Sequence, residues 1–195
     1  YVVTIDNNIT ELANVLNIDK GSINGNVESI CRDIRYNYFK NIYEEGNFDA
    51  LLIAHHLNDH IETYYLQKSR KSKVSHFGLA EKRHIFSMEV YRPLLSLTKE
   101  ELLEIVESRN IPYCIDKTNE LDIYARNKIR HNIVDKLSKE EMLKICEEIN
   151  KKNAEIKELR AFFENLDLNS VEDMSNLDDE KFAAALYEDL YFVMG

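Results

Sequence analysis

The run Leu51-Leu52-Ile53-Ala54 passes without a break into His55-His56-Leu57-Asn58-Asp59-His60-Ile61-Glu62-Thr63. Four apolar residues at strand length, followed at once by polar residues, predict a buried strand that hands the chain to the first turns of a helix. In open α/β folds ligands bind at the carboxyl ends of parallel strands, so this junction is where a site belongs. Placed on a helix, His55, Asp59 and Glu62 fall at i, i+4 and i+7 on one face, so that an imidazole and two carboxylates converge. Two plainer readings compete. Acidic residues favour the first turn of any helix through capping and the macrodipole, which makes the cluster a solvated helix start. His56 and His60 have the i, i+4 spacing of a metalloprotease helix, but Leu57 stands where that motif carries its glutamate, which counts against zinc.

Outward from the junction, strand and helix signals alternate. Residues 1–5 read as a strand and 11–16 as a short helix. Residues 27–45 read as an amphipathic helix with Ile30, Ile34, Phe39 and Ile42 near 3.6 spacing and Gly46 as its stop. Residues 48–54 are the buried strand, 57–67 a helix, and 69–78 a mobile basic linker. A strand follows at 84–91, then a helix from Thr98 to Arg109 with Glu101 completing a capping box, then a last strand at 111–115. This order predicts an α/β fold with a parallel sheet covered on both faces. A composition shift near Ser138 divides the chain into a domain at 1–137 and a helical region at 138–195. Ser138 and Glu141 form a second capping box, and Met142, Ile145, Ile149, Ile156, Leu159, Phe163 and Leu166 make an apolar stripe. Packing on neighbours is the first reading of that stripe, and a homodimeric coiled coil the second. Residues 178–194 read as a further helix.

Cys31, Cys114 and Cys146 are too few and scattered for a disulfide framework, which suggests reduced thiols. No apolar run reaches the ~20 residues needed to span a bilayer, and no signal peptide opens the chain, so a cytoplasmic protein with no membrane partner is expected. The net charge of −10 argues against nucleic acid, yet its distribution is uneven. Lys68, Arg70, Lys71, Lys73, Lys82 and Arg83 cluster, as do Arg126, Lys128, Arg130 and His131, while acid concentrates after Lys139. The first cluster is read either as a solvated loop or as an RNA contact through Lys68, Arg70, Lys71 and Lys73. Asp116-Lys117-Thr118-Asn119 is by itself a common polar turn. Arg126 and Arg130 lie one helical turn apart, a fork suited to phosphate or carboxylate, with Glu120 and Asp122 as nearby pairing partners.

Several of these segments, in this order, resemble the tRNA(Ile)-lysidine synthetases of the PP-loop ATP pyrophosphatase superfamily. Residues 54–63 are similar to that family's Ala-His-His-x-Asp-Asp-Gln-x-Glu-Thr segment. Glu28 with Cys31-Arg32-Asp33-Ile34-Arg35-Tyr36-Asn37-Tyr38-Phe39 looks like its Glu-x-x-x-Arg-x-x-Arg-Tyr-x-x-Phe helix. Tyr91-Arg92-Pro93-Leu94-Leu95, then Ile111-Pro112-Tyr113, Asp116 to Asn119 and Tyr124-Ala125-Arg126-Asn127-Lys128-Ile129-Arg130-His131 continue the likeness. The superfamily's phosphate loop, Ser-Gly-Gly-x-Asp-Ser, does not occur in the sequence, and we expect it to precede Tyr1 and the chain as given to be inactive. Asn58 stands where the family usually has the first of two aspartates.

The resemblance implies a Rossmann-like PP-loop ATPase domain and an ATP-dependent carbon–nitrogen ligase. ATP would adenylate the C2 oxygen of the wobble cytidine of tRNA(Ile) with a CAU anticodon, and the amine of free lysine would then displace AMP. In that chemistry Asp59 would ligate Mg2+. Glu62 and Asp59 would hold the lysine ammonium, with Asp116 and Asn119 as further contacts. His55 would stabilise the intermediate or shuttle a proton, its intrinsic pKa lying near neutrality. Arg126 and Arg130 would stabilise phosphate charge. Another PP-loop tRNA ligase, a metal-dependent phosphohydrolase and a non-catalytic RNA-binding fragment are the alternative functions.

Overall fold

A computed structural model of the chain describes residues 27–70, 74–113 and 125–164. The elements expected at 1–5, 11–16 and 178–194 lie outside them. Helix α1, Val27–Glu45, has the expected bounds and ends at Gly46, whose N–H bonds back to the Ile42 carbonyl at 2.9 Å. Its Tyr36, Phe39 and Tyr43 pack on Met88 and Val90, with Leu51, Ile53 and Ile85 completing the cluster. That layer covers one face of a three-stranded sheet.

The sheet is mixed rather than all-parallel. Strands β1 (Leu51–Leu52), β2 (Lys82–Ile85) and β3 (Met88–Tyr91) lie in the order β1-β3-β2. β1 pairs with β3 in parallel, and β2 with β3 antiparallel. The strand expected at 84–91 is therefore most of a hairpin that turns at Phe86 and Ser87, with Phe86 at φ 52°. A two-residue turn preserves alternation, and neither residue carries the Asn-Gly signal that marks a hairpin. The strand expected at 48–54 shrinks to two regular residues and is covered on one side only: Leu51 and Ile53 pack in the cluster, while Phe48 is 55% exposed and Leu52 68%. β1 is an edge strand of the described sheet, and its outer row has no described neighbour.

Beyond the regular strands the two parallel segments stay side by side. Ile53 N–H bonds to the Tyr91 carbonyl at 2.9 Å, His56 bridges Leu94, and Leu57 N–H reaches the Leu97 carbonyl at 2.9 Å. Helix α2, Leu57–Ser69, starts where this pairing ends. Helix α3, Lys99–Ser108, has the expected capping box: Glu101 N–H donates to Thr98 Oγ1 at 3.2 Å, and Thr98 N–H to Glu101 Oε2 at 2.9 Å. Of the strand expected at 111–115, residues 111–113 have no regular structure and the rest lie outside the described residues.

A second cluster joins α2 to helices α4 (Ala125–Asn132) and α5 (Lys139–Glu164) through Leu57, Ile61, Val134 and Met142, flanked by Ile129, Leu137 and Ile145. Ser138 and Glu141 cap α5 as expected. Met142 and Ile149 of the apolar stripe are buried within the chain, which favours the packing reading over a coiled coil. Among the described residues no helix is long and apolar enough to cross a membrane.

The linker expected to be mobile is pinned over its described part. Gly78 N–H donates to Gln67 Oε1 at 2.7 Å, Phe77 N–H to Asn153 Oδ1 at 2.7 Å, and Leu79 N–H to His60 Nδ1 at 2.9 Å. Gly78 sits at φ +68°, and a Cβ there would lie 2.5 Å from the His60 ring. We therefore expect Gly78→Ala to cost about 1–3 kcal/mol in urea unfolding, since positive φ and ring overlap add. A neutral result would show that this segment does not constrain the fold.

Candidate active site

The first turn of α2 carries Asp59, whose Oδ2 accepts the backbone N–H of His56 at 3.0 Å. One turn on, Glu62 is fully buried beneath α4. Arg126 and Arg130, one turn apart on α4, both reach down to it. Arg126 donates from Nε to Glu62 Oε2 at 2.7 Å and from Nη2 to Asp59 Oδ1 at 2.9 Å. Arg130 donates from Nε to Glu62 Oε1 at 2.6 Å and from Nη2 to Glu62 Oε2 at 3.0 Å. A buried carboxylate is tolerated only when its charge is matched and its lone pairs are filled. Two planar forks do both here, and the cluster of two cations and two anions is neutral. The same bonds raise the pKa of Arg130 above its already high value.

His55 is not on the helix, as the i, i+4, i+7 spacing assumed, because His56 is the N-cap. It lies in the extended approach, beside Arg92 on the parallel segment. Arg92 is buried; its Nε donates to His55 Nδ1 at 3.2 Å and its Nη1 to the Ala80 carbonyl at 2.7 Å. An imidazole that accepts at Nδ1 carries its proton on Nε2 and is neutral. Burial lowers the His55 pKa to about 4, with Arg92, Arg126 and His56 adding to the effect against the opposing pull of Asp59. Its surroundings thus move His55 away from the near-neutral intrinsic value.

Of the residues marked in the sequence, His55, Asp59, Glu62, Arg126 and Arg130 come together. The arginines pair with acids more than sixty residues upstream, Arg126 with Glu62 across 64 positions. Lys68 and Arg70 lie at the other end of α2, with Lys68 over the Tyr64 ring. Lys71, Lys73, Asp116 and Asn119 lie outside the described residues. Asn58 is buried and faces away from the acids: its Oδ1 accepts the Lys99 N–H at the start of α3 at 2.9 Å. An amide serves that bond as well as a carboxylate would, so the departure at Asn58 falls on the α2–α3 junction. The zinc reading is not supported, since His60 is turned to Leu79 and the described residues hold no group of three His, Cys, Asp or Glu suited to a metal. Arg92 was quoted in sequence only as part of Tyr91-Arg92-Pro93; its one signal was a lone arginine closing an apolar strand.

Residues 4–137 match the PP-loop domain family, an ATP-binding one. A protein of Mesoplasma florum named tRNA(Ile)-lysidine synthase is 39% identical over 129 residues, covering 66% of this chain and 32% of the relative. A protein of the same name from Mycoplasma mycoides is 37% identical over 171 residues, 86% of this chain and 42% of the relative. Another, from Mycoplasmopsis pulmonis, is 36% identical over 123 residues, 63% of this chain and 43% of the relative. The chain thus spans less than half the length of these curated relatives. With the family match taking in residues 4–137, well over half of the sequence, this chain belongs to the PP-loop domain family.

Proposed function

We propose that this chain is part of a cytoplasmic tRNA(Ile)-lysidine synthase, with residues 1–137 in its catalytic domain and 138–195 in a helical region. Its substrates are ATP, free lysine and tRNA(Ile) with a CAU anticodon. The observation that carries the reading is the neutral cluster of Asp59, Glu62, Arg126 and Arg130, which lies at the end of a parallel strand pair inside the family match. Relatives named tRNA(Ile)-lysidine synthase support the choice of reaction.

The cluster suits a reaction that brings in a polyanion and a cation. Phosphate groups would draw the guanidiniums of Arg126 and Arg130 away from the carboxylates, and the freed Asp59 and Glu62 would take the lysine ammonium in their place. Asp116 and Asn119 are proposed as further contacts to lysine or the adenylate. Mg2+ would offset charge on the triphosphate. Asp59 fits as one oxygen ligand, because it is a hard carboxylate at the start of α2 that is not fully buried; phosphates and water would complete the coordination. His55 acts as a fixed donor through Nε2–H toward the developing anion. Lys68, Arg70, Lys71 and Lys73 are proposed to contact the tRNA.

Glu62→Gln is expected to lower lysine incorporation about ten- to a hundredfold, the loss of a charged hydrogen bond, mostly through KM for lysine. Unchanged incorporation would remove Glu62 from the lysine site. Because His55 has its pKa held at about 4, the turnover rate should show no acid limb from this residue near 6.5. A limb near neutrality that vanishes in His55→Asn would overturn the neutral-donor role. The sign for stability follows from the same depression. The unfolded ring takes up its proton first, so this contribution is complete above 6.5 and is lost as pH falls toward about 4. His60 and His76, also lowered by burial, act in the same direction. Thermal unfolding across that range, compared with His55→Asn, measures the His55 share.

A further inference from the structure

A cleft of about 370 Å³ opens between residues 75–76 and α5, lined by Ser75, His76, Asn153, Ile156, Lys157 and Arg160. Its floor is rigid. Asn153 holds Phe77 through both backbone groups, accepting from N–H at 2.7 Å and donating to the carbonyl at 3.1 Å, and its Nδ2 also approaches His76 Nε2 at 3.3 Å. Cations surround it. Arg83 and Arg160 lie close enough to His76 to reinforce burial in lowering its pKa. Lys152 sits over the Phe77 ring at 5.8 Å, Phe77 packs edge-on to Tyr64 at 5.8 Å, and Lys68 covers Tyr64 at 5.5 Å.

This clustering runs against the composition. Acids outnumber bases 35 to 25, and several cations elsewhere pair with them: Lys40 with Glu44, Lys82 with Glu89, Lys139 with Glu101 and Lys144 with Glu140. Around the cleft Arg83, Lys152, Lys157 and Arg160 have no carboxylate partner among the described residues. Helical spacing sets Glu147, Glu155 and Glu158 on the side of α5 away from Asn153 and Arg160. Glu164 alone shares their side of the helix by spacing, one turn beyond Arg160. Glu148, nearer Lys152, is held by the Tyr64 hydroxyl at 2.5 Å and lies 3.8 Å from Lys68. A row of unmatched cations on an acidic protein is the electrostatic footprint of a phosphate backbone. A single free anion would need only one end of it.

We propose that this cleft, with Lys157 and Arg160 on α5 and Lys152 and Lys68 along its aromatic edge, binds the sugar-phosphate backbone of the tRNA. The site is distinct from the acid–arginine cluster and extends the RNA contact from the end of α2 onto α5. It rests on the proposed tRNA substrate.

The test is tRNA(Ile) binding by fluorescence anisotropy over a salt series, on the full-length protein, its Lys157→Ala/Arg160→Ala variant, and Lys151→Ala on the far side of α5. Both cleft side chains are exposed, so thermal unfolding should be unchanged. The double variant should bind about tenfold more weakly, with the slope of log affinity against log salt shallower by about 1 to 2. Lys151→Ala should leave the slope alone. If the unaltered protein binds tRNA and the double variant keeps its slope, the cleft proposal falls while the ligase reading stands. If the slope changes as expected but no lysidine forms, the ligase reading falls and the cleft stands. Absence of tRNA binding overturns both, and inorganic phosphate abolished by the double variant without any effect on tRNA would make this a free-anion site instead.

Discussion

Glu62 is a carboxylate with its side chain 1% exposed, and much of the described structure is arranged around that charge. Removing an ionised carboxylate from water costs several kcal/mol even after relaxation, and a single hydrogen bond does not offset that. Two guanidiniums do, and both come from α4. Glu62 therefore fixes the register of α4 on α2: a shift of one residue would carry Arg126 and Arg130 to the wrong side of the helix. The apolar contacts of Ile61 with Val134 and Met142 bury the neighbouring surface, but they would tolerate sliding that the forks do not.

The other wall depends on backbone pairing. Two segments run parallel past the ends of β1 and β3 as far as Leu57 and Leu97, and this sets His55 against Arg92. Arg92 has a second bond, to the Ala80 carbonyl, so the residue that donates to His55 Nδ1 is tied to the hairpin as well. The imidazole thereby faces the acid cluster as a polar group of fixed tautomer rather than as a charge.

What the sequence made legible follows from the range of the interactions. Helix caps are local, and Thr98 with Glu101 and Ser138 with Glu141 were readable because donor and acceptor stand three residues apart. The strand-to-helix junction was readable because apolar residues give way to polar ones in one step. The hairpin was not, since Phe86 takes a left-handed turn conformation that its residue type does not advertise. Segment 74–78 looked mobile because its polarity was visible while its partners, Gln67 and Asn153, were not. Arg126 and Arg130 had Glu120 and Asp122 close in sequence, and no local rule points instead to acids on α2. The resemblance supplied what local rules lack, a reason to place α4 and the His55 junction in one site.

The pairing of Glu62 with two arginines changes how the proposed reaction must begin. A carboxylate kept empty for lysine would be a buried, unpaired charge in the absence of substrate, which burial penalises heavily. Arginine avoids this, because it keeps Glu62 paired and is itself the group that phosphate binds best. Neither substrate alone then has a favourable entry: lysine alone must displace a well-placed fork, and nucleotide alone must leave Asp59 and the buried Glu62 without partners. Together, the polyanion takes the arginines as the ammonium takes the acids. On this reading the ion cluster couples nucleotide and lysine occupancy through exchange of partners, with no movement larger than the reorientation of two side chains on α4.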